Sequence, residues 1–222
     1  MGQLTTGERD FGAIILIVLA IVGIAMAAAG RADVLGIHGA MVLLYSLALL
    51  FVLFSGAFGT SPSPARLTRY YDDPIKVGVG LTLFWAIFGM FIGVWAAAQL
   101  AWPSLNFDTS WASFGRIRPA HTSGVIFGFG GNALITTSFH VVQRTSRARL
   151  ADQLSPWIVL FGFNLFCLIA ISGYFLGVTQ SKEYAEAEWY ADIWLVIVWV
   201  TYFVLYVRTL ARRKEPHIYV AN

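Results

Sequence analysis

One histidine lies in a long apolar stretch together with residues that could hold a metal-bearing group. His121 follows Arg116 and Arg118, and Gly124 and Gly128 come three and seven residues after it, on the same face of a helix. A neutral imidazole can ligate iron, and glycines on that face would let a flat macrocycle lie against the backbone. The arginines could pair with carboxylates of such a group, because a guanidinium matches carboxylate geometry. One interpretation of these residue types is an axial ligand to a heme iron.

The same residues allow a second interpretation that needs no cofactor. His121 could form a hydrogen bond between two helices, and Gly124 and Gly128 have the spacing of an ordinary small-residue packing motif in membrane helices. Residue types alone do not decide between heme ligation and packing.

The other three histidines lie in different settings. His38 lies just inside an apolar stretch, at a depth comparable with His121, so it could complete a bis-histidine site with it. His140 lies 19 residues after His121, about 28 Å along a helix, and is expected at the opposite membrane edge, at the interface or against a partner. His217 follows the basic C-terminal stretch and is expected at a helix end.

A short acidic loop is expected on the same side of the membrane as His121. It contains Glu183, Glu186 and Glu188. Hard cations such as calcium prefer carboxylate oxygens. The acids are also typical of a solvated helix start, because a helix N-terminus favours negative charge, and the residues alone favour this second interpretation.

Membrane-spanning helices must position all of these residues. Of the 222 positions, 58% are hydrophobic and 12% charged, and the mean hydropathy is +0.69. Lipid requires helices, and six apolar runs are long enough to cross a bilayer core of about 30 Å: 11–29, 35–58, 75–100, 119–142, 156–178 and 191–210. We therefore predict an all-α polytopic bundle of about six spans.

The chain has one cysteine, Cys167, which is expected to be an inert residue of the core. A single cysteine excludes a disulfide within the chain.

The basic residues predict the orientation of the bundle. Eleven of the 15 Lys and Arg residues lie at the chain ends and in the second and fourth loops, which places both termini in the cytoplasm. His121 and Glu183 then lie on the outer side. This placement explains the net charge of +3 without any need for nucleic-acid binding.

The first run is longer than the apolar core of a signal peptide, and we expect it to be retained.

Three stretches of the chain resemble the N-terminal part of the catalytic subunit of cbb3-type cytochrome c oxidase, a heme–copper oxygen reductase. They are YDDPIKVGVGLTLFWAIFGMFIGVWAAAQLAWP, FGRIRPAHTSGVIFGFGGNALITTSFHVVQRTSRARL and SKEYAEAEWYADIWLVIVWV. The resemblance makes 71–222 the first four helices of the subunit I fold. It leaves 1–70 as an N-terminal extension with two helices.

This resemblance implies roles for individual residues. In that family the histidine of an RPxHT motif is an axial ligand of low-spin heme b, and the role carries over to His121. The preceding arginines are expected near the heme propionates, which implies Arg118 and Arg116. The first glutamate of the EYAE stretch is associated with a calcium ion, which implies Glu183.

The resemblance also implies what lies outside this chain. The second axial ligand and the ligands of the high-spin heme and of copper come from later helices, so we expect an N-terminal piece of a subunit, inactive alone. The whole would reduce oxygen to water with electrons from cytochrome c and pump protons. Its partners would be the remaining helices, c-type cytochrome subunits and membrane lipid in a bacterial inner membrane. Two alternatives stay open: a self-contained bis-histidine cytochrome b using His38 and His121, and a cofactor-free assembly subunit.

Overall fold

Six long apolar helices form the structure. The computed structural model describes residues 4–31, 33–56, 70–180, 182 and 184–220. Within these ranges six helices are long and apolar enough to cross a membrane, and no strand occurs. They are α1 (Thr6–Gly30), α2 (Val34–Phe54), α3 (Asp73–Ala101), α4 (Phe114–Thr145), α5 (Ser155–Leu176) and α6 (Trp189–Ala211). The predicted all-α multi-pass membrane bundle is confirmed.

Two helices begin five residues before the apolar runs that predicted them, whereas the other four begin one or two residues before theirs. Helix α1 begins at Thr6 because Thr5 and Glu8 form a capping box, in which Thr5 Oγ1 accepts from Glu8 N at 3.2 Å. Helix α4 begins at Phe114, five residues before Pro119. Proline lacks an N–H, but near a helix start this removes only one backbone hydrogen bond. The predicted end of the second span, at 58, lies outside the described residues, and α2 ends at Phe54.

Helices α1 and α2 form a tight hairpin. A Cβ atom on Gly23 of α1 would lie 2.7 Å from Leu43 N and 2.8 Å from Gly39 O on α2. Such close approach needs glycine and is typical of small-residue packing between membrane helices. The hairpin therefore depends on its own helix–helix contact more than on the rest of the bundle.

Helix α5 lies at the centre of the group formed by helices α3 to α6. Most of its residues are buried, and it packs against α4 and α6, while α3 packs against α4. Helices α3 and α6 expose apolar side chains, such as Ile87 and Phe203. Apolar outer faces suit a hydrocarbon environment, because lipid offers no hydrogen-bond partners and the backbone groups of a helix pair with one another.

Polar contacts join the helices at the end of the bundle that holds both chain ends, which we call the inner end. Tyr71 N donates to Gln143 Oε1 at 2.7 Å, and Trp157 Nε1 donates to the Tyr71 hydroxyl at 2.8 Å. Burial raises the pKa of Tyr71. Arg144 donates to both carboxylate oxygens of Asp72, at 2.8 and 2.9 Å. These contacts fix the start of α3 against the end of α4 and the start of α5.

Candidate functional site

The ring of His121 is held by α3, on the outer half of the bundle. Its Nδ1 atom lies 2.8 Å from the carbonyl oxygen of Gly89. Because a carbonyl oxygen only accepts, Nδ1 carries the proton, and in the neutral ring the lone pair is on Nε2. The part of the chain that the structure describes offers Nε2 no hydrogen-bond partner. This is the state in which an imidazole can bind a metal through Nε2.

A second glycine of α3 makes room for this ring. A Cβ atom on Gly93 would lie 2.5 Å from Cε1 and 2.6 Å from Nδ1 of His121. The imidazole therefore sits directly against the backbone of α3. Sequence reasoning missed Gly89 and Gly93, although their four-residue spacing is the small-residue pattern that could have indicated them.

An unusual stretch of helix follows His121. Residues Gly124–Gly131 form eight residues of π-helix in the middle of α4. At its end, the backbone N–H of Asn132 donates to Phe129 O, and its side-chain amide donates to Gly128 O at 2.7 Å. The side chain thus satisfies a carbonyl that an α-helix would pair with the backbone. Such π segments are frequent at functional sites.

A buried amide network fixes this π segment. Asn164 of α5 donates to Asn132 Oδ1 at 2.8 Å and accepts from Trp85 Nε1 at 2.7 Å. All three side chains are buried. The network links α3, α4 and α5, so the helix that carries His121 has little freedom to rotate. The amides were also missed from the sequence.

The two predicted glycines of α4 face α3, as His121 does. Gly124 is buried, and a Cβ on it would touch Phe88 at 3.4 Å. A Cβ on Gly128 would lie 2.7 Å from the indole ring of Trp85. Both glycines therefore take part in helix packing here, and their role beside a macrocycle stays a prediction.

The two predicted arginines lie in different surroundings. Arg116 Nη1 donates to Phe175 O at 3.1 Å, at the C-terminal end of α5. Its guanidinium lies against Gly177, which has a φ of +88° and on which a Cβ would come within 2.6 Å of Cζ. Arg118 is exposed on α4, one turn before His121. Their role at heme propionates stays a prediction.

The buried His38 has both ring nitrogens in hydrogen bonds. Nδ1 lies 2.6 Å from the hydroxyl of Tyr190 on α6, and Nε2 lies 3.2 Å from Oγ of Ser172 on α5. The side chain is only 1% exposed. A metal ligand needs one nitrogen without a hydrogen bond, so this arrangement disfavours the bis-histidine pair with His121.

The remaining candidate residues lie away from His121. His140 is exposed near the inner end of α4, and His217 is exposed after α6. Cys167 is buried in α5.

The candidate calcium ligand Glu183 lies outside the described residues. Glu186, in the same loop, has one buried carboxylate oxygen, Oε2, with no hydrogen-bond partner among the described residues. Within those residues no group of three or more His, Cys, Asp or Glu side chains could hold a metal ion.

Comparisons with known proteins give one consistent answer. Residues 73–222 match the family described as Cytochrome C and Quinol oxidase polypeptide I. A cytochrome c oxidase subunit 1 homolog of Azorhizobium caulinodans is 63% identical over 154 residues, 69% of this chain and 28% of that protein. A bacteroid homolog of Bradyrhizobium diazoefficiens is 48% identical over 225 residues, 99% of this chain and 41% of that protein. The cbb3-type cytochrome c oxidase subunit CcoN1 of Stutzerimonas stutzeri is 53% identical over 158 residues, 71% of this chain and 33% of that protein.

The matches cover most of this chain but less than half of each relative. The chain spans between 28% and 41% of the length of these three relatives. The family match begins at residue 73, so it takes in α3 to α6 and the ring of His121. The Bradyrhizobium relative also matches the part that contains α1 and α2. On this evidence, the chain belongs to the cytochrome c and quinol oxidase polypeptide I family.

Proposed function

We propose that the chain is the N-terminal portion of the catalytic subunit of a cbb3-type terminal oxidase. The whole subunit would reduce oxygen to water with electrons from cytochrome c and pump protons. The contribution of this portion is one axial ligand of a low-spin heme b, His121. The observation that best supports the proposal is the hydrogen bond from His121 Nδ1 to Gly89 O at 2.8 Å, which leaves the lone pair on Nε2.

This geometry suits a metal ligand for a general reason. Histidines that bind metals usually donate their other N–H to a carbonyl or carboxylate, which fixes the tautomer and makes the ligating nitrogen more basic. Gly89 performs this task, and Gly93 lets the ring approach the backbone of α3. When bound, the heme iron supplies one-electron chemistry whose potential depends on the axial ligand and its neighbours.

The arginines of α4 are proposed to bind heme propionates. Arg118 is exposed one turn before His121 and brings a permanent positive charge to that side. Arg116 uses one N–H on Phe175 O, but a guanidinium has five N–H donors and can hold a second acceptor. Gly124 and Gly128 are proposed to let the flat heme lie against the backbone of α4.

Calcium binding by Glu183 is a further part of the proposal. The buried, unpartnered Oε2 of Glu186 supports the presence of a cation near this loop. A buried carboxylate oxygen is costly unless it is paired. Calcium accepts such oxygen ligands.

Later helices of the subunit would complete the site. They would bring the second axial ligand, the high-spin heme and copper, and c-type cytochrome subunits would deliver electrons. We propose a bacterial inner membrane as the location, with both termini in the cytoplasm. The excess of basic residues at the inner end supports this orientation.

The self-contained cytochrome b is the less favoured alternative. It needs His38 as the second ligand, and the Tyr190 and Ser172 hydroxyls already engage both nitrogens of His38. The cofactor-free assembly subunit is a further alternative, because helix packing alone could also hold His121 against α3.

Reduced-minus-oxidised spectra of membranes test these proposals. The chain is expressed alone and together with the remaining helices, as wild type, His121→Ala, His38→Ala and, as an exposed control, His140→Ala. We expect a low-spin heme b signal only when the remaining helices are present, lost in His121→Ala and kept in the other two variants. A stable heme in the chain alone that either His38→Ala or His121→Ala abolishes would establish the cytochrome b instead. Absence of heme even with the remaining helices would favour the assembly subunit.

A further inference from the structure

An apolar groove runs along the bundle between α1 and α6. Its volume is about 740 Å³, and α1, α2, α5 and α6 line it. On α1 it extends from Ile14 to Ala29, about 22 Å at 1.5 Å per residue, which is most of a hydrocarbon core of about 30 Å. Helix α1 packs closely on α2, but among the described residues it hardly touches α6. In the part of the chain that the structure describes, no other helix therefore closes the groove on this side.

At its outer end this groove meets a second cavity, which carries two acidic side chains. Its volume is about 420 Å³, and it shares Leu35, Trp189 and Tyr190 with the groove. Asp33 and Glu188 line it, just before α2 and α6. Neither side chain caps its own helix. Within the described ranges, no hydrogen bond or ion pair engages either carboxylate.

Hydrogen bonds hold in place the side of the groove that α6 forms. Tyr190 is fixed by His38 at 2.6 Å, and Trp194 Nε1 donates to Gly162 O at 2.8 Å. Both rings line the groove. Since these rings are tied to α2 and α5, the groove is a preformed feature of the fold.

We propose that this groove binds one phospholipid with an ammonium headgroup. An acyl chain lies along α1 and α6, and the ammonium group lies between Asp33 and Glu188, beside the exposed ring of Trp189, which can make a cation–π contact. The exposed Arg31, on the turn between α1 and α2, supplies a positive charge for the phosphate. The proposal is independent of the role of His121.

Shape and charge favour this occupant over others. A flexible acyl chain fits a long, narrow, apolar space. Asp33 and Glu188, whose carboxylates have no partner among the described residues, repel an anionic headgroup, so a phosphatidylethanolamine headgroup is preferred to phosphatidylglycerol.

Native mass spectrometry of the purified full chain tests the groove. Ala25 is exposed and lines the groove, whereas Ala28 is equally exposed on α1 and does not. We expect wild type and Ala28→Phe to retain one phospholipid through delipidation, and Ala25→Phe to lose it. Equal retention by Ala25→Phe and Ala28→Phe would overturn the proposal, as would a partner helix cross-linked in the groove of the full complex.

A competition experiment tests the headgroup. The purified chain is left to exchange its lipid with an excess of vesicles of equal phosphatidylethanolamine and phosphatidylglycerol content, and the bound lipids are identified by mass. We expect a several-fold preference for phosphatidylethanolamine, abolished in Asp33→Asn/Glu188→Gln and kept in Asp108→Asn, an exposed acid of an outer loop. Equal or tighter binding of phosphatidylglycerol by wild type contradicts the proposed headgroup.

Discussion

His121 of α4 donates its Nδ1 proton to the carbonyl oxygen of Gly89 on α3, over a distance of 2.8 Å. This contact links the histidine to a helix turn that carries no polar side chain of its own. It orients the ring, and a proposed metal ligand is more precise when it is held in this way. The neighbouring glycines then become testable parts of the site.

Replacing Gly93 by alanine should displace the His121 ring. The new Cβ would lie 2.5 Å from Cε1, and such overpacking costs about 1–3 kcal/mol. In the full subunit we expect a weakened or shifted low-spin heme spectrum. Gly80→Ala on the same helix, where a Cβ meets nothing within 4 Å, should leave the spectrum unchanged. Identical spectra for both variants would argue against a role for Gly93 in positioning the His121 ring.

Replacing His38 by alanine should destabilise the fold without removing heme. The Tyr190 hydroxyl loses its partner, at a cost of about 1–3 kcal/mol for a buried group left unsatisfied, whereas the Ser172 hydroxyl keeps its hydrogen bond to Leu168 O at 2.6 Å. Thermal unfolding in detergent should show a lower Tm than that of wild type. His140→Ala, at an exposed position, should match wild type. A His38→Ala variant as stable as wild type would contradict this interpretation.

The amide pair of Asn132 and Asn164 should behave as one unit. Asn164→Ala removes the partner of both Trp85 and Asn132, and a buried polar group left alone costs about 1–3 kcal/mol. We expect each single alanine variant to lower the stability and the double variant to cost less than the sum. A double-mutant cycle measured by chemical unfolding checks this. Strictly additive effects would show that the two amides act independently.

Gly177 should tolerate alanine less well than Gly56 does. Both have positive φ, +88° and +79°, so an alanine at either position suffers similar backbone strain. Only at Gly177 does a Cβ meet a side chain, the guanidinium of Arg116. Thermal unfolding should therefore show a larger loss of stability for Gly177→Ala than for Gly56→Ala. Equal losses would mean that Arg116 moves away without cost.

Much of the fold could be predicted because it depends on local properties. Apolar run length indicated the six spans, and the RPxHT context singled out His121. Helix starts were less predictable, because the capping box at Thr5 and the passage of α4 through Pro119 depend on local backbone hydrogen bonding rather than on hydropathy. The π segment could not be foreseen either, because it depends on the side-chain amide of Asn132 and its partner on another helix.

The sequence by itself determined that six apolar runs are long enough to cross a membrane and that His121 is the strongest candidate ligand. Only the tertiary structure decided what each buried histidine can do. His121 finds one acceptor on α3, 32 residues away in the chain, while His38 finds two hydroxyls on α5 and α6, 134 and 152 residues away. A ring nitrogen is available to a metal only if no neighbour takes it, and helix packing chooses those neighbours.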